Sequence, residues 1–344
     1  MRRMSTQHLV ATSIITAVLS SMLLCSCRDN TPENRTPMIP SYSVPASIPS
    51  YSGDRAFALL ERQVAFGPRV PGTEAHADCL QFFRSFFDSL GIDTELQSFE
   101  FPGYEGETLP LTNVIAQINP GAKQRILLAA HWDSRPTADR EPDPDRALRP
   151  VPGANDGASA VAVLLHLAEV LVEHSPPVGV DIILFDGEDY GREGDESMFC
   201  LGSKYYAASL DPSHPLPMFG ILLDLVGDRE AVFPMEEFSR RYASDVLTMV
   251  WDAAEQQGLT RFVRRSHSGI YDDHVPLNTV AGIKTINIVD AELVGQNTSD
   301  PRRQYWHTLD DLPSQCSPAP LSDVGQLLLS VIFGMHTTEH HEIQ

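Results

Sequence analysis

Three stretches of this chain share one form, an apolar run that stops abruptly at ionisable side chains. They are LLAAHWD (127–133), IILFDGED (182–189) and GILLDLVGD (220–228). Uninterrupted apolar runs of this length, rather than alternating ones, suit strands buried on both faces. Segments of helical period lie between and around them, as in NDGASAVAVLLHLAEVLVE (155–173) and FSRRYASDVLTMVWDAAEQQG (238–258). Strands alternating with helices predict an α/β domain whose central sheet is covered on both sides. Further strands are expected over 92–101, 111–118 and 283–290, and helices over 53–67, 72–91, 200–210 and 321–336. The charged, proline-rich segment 137–152 has no period and is expected to be an exposed loop.

In an open α/β sheet the ligand crevice lies beyond the carboxyl ends of the strands. That rule gathers His131, Asp133, Asp186, Glu188, Asp189, Asp224 and Asp228 on one rim. A single carboxylate at a strand end is an ordinary turn or helix cap. Three such endings ask for more, because like charges brought together need a compensating cation. No Lys or Arg stands within those runs, so a metal is the economical reading. Mixed Asp, Glu and His ligands suit zinc. GANDGASA (153–160) adds Asp156 among small residues, and WHTLDD (306–311) adds His307. Taken alone, Asp156 passes for a cap and His307 for a surface or core histidine. No local HExxH spacing occurs, so the residues by themselves indicate only a dispersed site.

The remaining features bound the setting. MRRMSTQHLVATSIITAVLSSMLLCSC opens with basic residues and an apolar run from Leu9 to Leu24, then small residues and cysteine. This reads as an export signal over 1–27, and LCSC resembles the bacterial lipobox with Cys27 as the lipidated residue. A simple cleaved signal is the plainer alternative. The Pro- and Ser-rich segment 28–53 is expected to be a flexible tether, 54–337 the folded domain and 338–344 a disordered tail. Cys79, Cys200 and Cys316 match no metal or redox spacing and allow at most one disulfide, buried free thiols being the other option. A formal charge of −21 with only three lysines argues against nucleic acid or an acidic membrane surface as partner. Such an acidic surface also suits a high-salt habitat.

The ordered set AHWDS, GANDGAS, FDGED, LLDLVG and WHT resembles the M28-type zinc peptidase family and, within it, the animal-type glutaminyl-peptide cyclotransferases. The resemblance spans roughly residues 54 to 337. It implies a phosphorylase/hydrolase-like domain with a mixed, mostly parallel central sheet and one catalytic zinc. It places the zinc ligands on Asp156, Asp189 and His307 and the general acid/base on Glu188. In the two-metal aminopeptidase branch of the family, His131 and Asp224 hold a second zinc, Asp156 bridges the two, and Asp133 steadies His131. All of these positions are filled here.

YDDHVP (271–276) resembles a segment of the cyclotransferases whose first aspartate shares a proton network with the base. That network maps to Asp272, Glu188 and Asp224, with Trp306 as a ring over a small substrate. The implied activity is conversion of an N-terminal glutamine to pyroglutamate with release of ammonia, on peptides or proteins, by a monomer whose only membrane contact is the lipidated Cys27. The alternative is a two-zinc aminopeptidase; a binding protein with a degenerate metal site has less to recommend it, since no ligand position is lost. Two departures stand out. Asp189 occupies a position where the vertebrate enzymes carry glutamate, and the tryptophan they place after this motif is absent. Phe199 is the candidate replacement and Tyr190 a weaker one.

Overall fold

The computed structural model describes residues 42–336 except 212 and 214. The expected export signal, Cys27, the tether as far as residue 41 and the tail lie outside the described residues. Six strands form the main sheet: β1 Thr94–Pro102, β2 Thr108–Ile118, β3 Arg125–His131, β4 Gly179–Phe185, β5 Gly220–Asp224 and, last in the chain, β8 Thr285–Val289. Their order across the sheet is β1-β2-β4-β3-β5-β8. The four strands β4, β3, β5 and β8 are parallel, and β2 and β1 add an antiparallel edge. The helices are α1 Gly53–Val64, α2 Glu74–Ser89, α3 Pro144–Ala147, α4 Ala160–Glu173, α5 Leu201–Ser209, α6 Glu237–Tyr242, α7 Ser244–Gln256, α8 His274–Thr279 and α9 Pro318–Phe333.

The α/β expectation holds, and the sheet's two faces show why the apolar runs are continuous. Ile126, Leu128, Ala130, Ile182, Leu184, Ile221 and Leu223 join one core, shared with residues of α1, α2, α4, α7 and α9. The intervening Leu127, Ala129, Ile183, Phe185 and Leu222 join a second core with Tyr206 of α5 and Leu277 of α8. Each strand residue therefore has an apolar neighbour whichever way it points, and polar residues enter only where the strand runs out. α4 with its preceding turn is long and apolar enough to cross a membrane, yet 83% of that stretch is buried in the domain.

Several elements depart from the expectation. A separate parallel pair, β6 Phe233–Met235 and β7 Phe262–Ser266, was not legible in the sequence, nor was α8. The helix expected over 238–258 is two, broken at Ala243 (φ −140°, ψ 42°). The cysteines Cys79, Cys200 and Cys316 are buried free thiols.

The largest departure concerns the expected tether. Tyr42 forms an antiparallel bridge with Met335, and Ser43 N–H donates to Gly334 C=O at 3.1 Å. The Tyr51 ring lies so close over α9 that a Cβ on Gly325 would stand 2.3 Å from it, and its hydroxyl donates to Val163 C=O at 2.9 Å. Ser52 then caps α1. A boundary at residue 54 would therefore cut through a packed segment.

Candidate metal centre and active site

The strand order places a switch in connection direction at β3, with β4 on one side and β5 on the other, where an α/β sheet opens its crevice. His131 ends β3 and Asp224 ends β5 at that point. The loop after β3 returns as the turn 153–159, which carries Asp156 into the same space. Gly157 makes this possible: its φ is +95°, and a Cβ there would stand 2.8 Å from Asp133 C=O. Asp189 and Glu188 arrive from the loop after β4, and His307 from the loop ahead of α9. Leu225, next to Asp224, and His307 itself hold left-handed backbone, with φ of 50° and 56°. Non-glycine residues adopt that region only where their surroundings enforce it, commonly at functional sites.

Ligand atoms of Asp156, Asp189 and His307 lie within 4.8 Å of one another, and all three residues are buried. His307 Nε2 stands 3.7 Å from Asp156 Oδ2 and 3.5 Å from Asp189 Oδ1. A second group, His131, Asp156 and Asp224, meets the same spacing. Its members share His131 Nε2, at 3.1 Å from Asp156 Oδ1 and 3.4 Å from Asp224 Oδ1. Asp156 thus offers one oxygen to each group.

The electrostatics agree with a cation in this place. Burial pushes Glu188 well above the usual carboxylate range, with Asp272 and Asp189 adding to the rise and His131 opposing it. Burial also lifts Asp189 to about 6 and Asp224 to about 7, while the nearby histidines pull both down. Asp224 Oδ1 is buried without a hydrogen-bond partner. Carboxylates that are crowded, desolvated and under-bonded are what a divalent cation relieves. The donor set of two carboxylates and an imidazole fits zinc with a position left open for substrate. The protein has a zinc-binding His/Asp triad.

Residues that no periodicity announced hold this cluster in place. Asp133 Oδ1 and Oδ2 accept the N–H groups of Glu188 at 3.0 Å and Asp189 at 3.1 Å. Asp133 also lies 3.5 Å from His131 Nδ1, the contact the family resemblance implied, but its hydrogen bonds go to the backbone. Asp311 does the same for the other ligand loop, accepting from Asn155 N–H at 2.8 Å and Asp156 N–H at 3.1 Å. Arg69, fully buried, donates to the carbonyls of Trp132, Pro152 and Gly153 at 3.0, 2.9 and 2.6 Å.

No Lys or Arg stands within the three runs, but a cation reaches the carboxylates from just outside them. Arg135, two residues beyond the LLAAHWD run, is buried and donates to Asp189 Oδ1 at 2.6 Å. It also binds Asp139, whose Oδ1 lies 3.2 Å from His307 Nδ1. The segment 137–152 therefore serves the site: Asp139 faces the far nitrogen of His307, and Arg140 N–H donates to His307 C=O at 3.2 Å. Asp186 and Asp228, which the strand-end rule gathered on the rim, are engaged elsewhere. Asp186 binds His76 Nε2 at 3.0 Å and Thr112 N–H at 2.6 Å. Asp228 accepts from Tyr305 Oη at 2.7 Å and Arg303 Nε at 2.9 Å.

Asp156, Glu188, Asp189, Asp224, Asp272 and His307 line a small cavity whose walls include Phe199, Ile270, Tyr271, Val294 and Trp306. The Trp306 ring stacks on His307, centroids 3.4 Å apart at 21°. Phe199 lies under the Arg135 guanidinium, 5.6 Å away. Tyr190 does not reach the cavity walls; it is buried against Phe99, Leu109 and Leu111, with its hydroxyl donating to Glu107. Asp272 Oδ2 accepts from Asn287 Nδ2 at 2.6 Å, and burial raises its carboxyl above the ordinary range.

Residues 113–332 match the peptidase family M28 model. The glutaminyl cyclase of Tannerella forsythia superposes with a TM-score of 0.79 at 36% identity, covering 84% of this chain and 100% of that one. A Zn-dependent exopeptidase from Parabacteroides distasonis gives 0.78 and 36%, over 83% and 99%. The glutaminyl-peptide cyclotransferase of Drosophila melanogaster is 25% identical over 268 residues, 71% of this chain and 70% of the fly protein. These figures overturn the expected affinity with the animal-type cyclotransferases: the likeness is to the bacterial glutaminyl cyclases.

Proposed function

The chain belongs to peptidase family M28 and is a zinc-dependent enzyme, and from that premise we propose that it converts the N-terminal glutamine of peptides or proteins to pyroglutamate, releasing ammonia. The observation that carries the reading is the paired arrangement of Glu188, beside the zinc triad, and Asp272, on the wall of a cavity small enough for one side chain. The likeness to solved bacterial glutaminyl cyclases supports it. Asp156, Asp189 and His307 would hold the ion. Zinc there supplies a Lewis acid toward the substrate's γ-carbonyl.

The protein's own groups do the rest. Glu188 takes a proton from the substrate's α-amine as that nitrogen attacks the γ-carboxamide carbon. A carbon–nitrogen bond forms, the bond to the amide nitrogen breaks, and Glu188 returns the proton to the departing ammonia. Attacking and attacked atoms belong to one residue, so closing the five-membered ring requires only that the side chain be folded back. The cavity aromatics Trp306 and Phe199 are suited to holding that folded shape and excluding water. Asp272 and Asp224, close to the base and raised like it, would share its proton as one coupled set.

The competing reading is a two-zinc aminopeptidase, favoured by the complete His131, Asp156 and Asp224 group and by the likeness to a Zn-dependent exopeptidase. Incubating the zinc-loaded protein with Gln-Phe and Leu-Phe separates the two. Cyclisation lowers the mass of Gln-Phe by that of ammonia and leaves Leu-Phe intact; free phenylalanine from Leu-Phe refutes cyclisation in favour of the peptidase. The basic, apolar and small-residue order of positions 1–27 supports an exported bacterial lipoprotein, anchored in the cell envelope through Cys27, and the domain is proposed to act as a monomer. Radiolabelled palmitate retained by the full chain but not by C27A is the expected sign of the anchor.

A further inference from the structure

Glu188 is held at its backbone from two directions. Its N–H donates to Asp133, and its carbonyl accepts the N–H of Cys200 at 2.9 Å. Its carboxylate is far less constrained. Among the described residues, the one hydrogen bond to it comes from the Cys200 thiol, Sγ to Oε1 at 3.3 Å. Side-chain atoms of Glu188, Cys200 and Asp272 fall within 4.8 Å of one another. Cys200 is fully buried and sits at the entrance of α5 with φ 55° and ψ 37°. That left-handed conformation costs a non-glycine residue roughly 1 kcal/mol, and here it brings backbone and thiol to bear on one partner.

We propose that Cys200 is a positioning residue for Glu188: its thiol fixes Oε1 and leaves Oε2 turned to the substrate. The proposal rests on the reading of Glu188 as the proton-transferring group. The chemistry of the donor matters. A thiol is a weak hydrogen-bond donor, so it sets the direction of the carboxylate without competing strongly for the lone pair that must receive the proton. Asp272 approaches from the cavity wall, so Glu188 would be confined between a neutral donor behind it and a carboxylate beside it. Rotation of an unpinned glutamate would move the accepting oxygen by about an ångström, a displacement that can cost on the order of a hundredfold in rate.

The test compares C200A and C200S with the parent enzyme on Gln-Phe, measuring kcat, KM, zinc content and melting temperature for each. C200A keeps the Cβ and the backbone demand but removes the donor. The expected result is a fall in kcat of up to about a hundredfold, the cost of an ångström's misplacement of an acid/base group, with KM and zinc content little changed. C200S restores a donor and should recover most of the loss. Undiminished kcat in C200A overturns the proposal, as does parallel loss of kcat, zinc and melting temperature, or a C200S enzyme no better than C200A. Should C200A melt below the assay temperature, Cys200→Gly, free of left-handed strain and equally without a donor, takes its place under the same outcomes. E188Q is the control: an active E188Q refutes the role of Glu188 itself, whereas an inactive E188Q beside a fully active C200A refutes only the role of Cys200.

Discussion

Replacing Asp311 by alanine should damage the zinc site without touching a ligand. Asp311 is completely buried, and its two oxygens accept the N–H groups of Asn155 and Asp156. In D311A both donors lose their acceptor inside the protein, at about 1–3 kcal/mol each, or ~2–6 kcal/mol together. An opposing effect reduces this. Burial already pushes Asp311 up to about 7, with the Asp156 charge adding and the two N–H bonds opposing, so removing the carboxylate also removes a group the site strains to ionise. The net loss should lie near the lower end, ~2–3 kcal/mol. At about 2–4 °C per kcal/mol, melting should fall by ~5–10 °C. The measurement is made on metal-free protein, so that loss of zinc does not enter, and then repeated with zinc in a competition titration. D311N keeps one acceptor and should fall by about half as much. A D311A protein that melts with the wild type when metal-free, or a D311N protein that melts below D311A, would refute the reasoning.

Other consequences can be checked separately. D139A removes the carboxylate facing His307 Nδ1 and should weaken zinc binding by about 10–100-fold; unchanged affinity in a chelator competition would contradict that role. Y51A empties the place over Gly325 and should cost ~3 kcal/mol in chemical denaturation, whereas a freely moving tether would cost nothing. Burial lifts Asp290 to about 7, against the pull of Arg303 and with Asp228 adding to the rise. The folded state then holds a proton that the unfolded chain, titrating near ~3.9, has released. Stability from this group is complete below the unfolded value and is lost as pH rises through about 7. D290N should therefore gain on the wild type between about pH 5 and pH 8 in paired melts, and a constant difference would count against it.

The parts of the structure that local pattern governs were legible, and those that long-range contact governs were not. Ile182 to Phe185 read as a buried strand because every one of them needed an apolar neighbour, and the rim at its end follows from chain direction alone. Asp156, Asp189 and His307 are far apart in sequence with no fixed spacing, so only the order of their motifs linked them. The strand-end rule also swept in Asp186 and Asp228, because it says where a side chain starts and not which partner it finds. Asp311 was visible as the second acid of WHTLDD, but its partners lie more than 150 residues earlier. Asp139 sits in a segment without period, and Cys200 in one whose left-handed turn has no sequence signature. Residues 42–52 read as a tether because two tyrosines do most of the packing, too few to make a pattern.

The central claim is that one zinc ion between Asp156, Asp189 and His307 faces Glu188. Anomalous diffraction at the zinc edge from crystals of the zinc-loaded protein tests it most directly. A single strong peak among His307 Nε2 and the carboxylates of Asp156 and Asp189 is the expected result. An equal second peak between His131 and Asp224, or none at the triad, would contradict it.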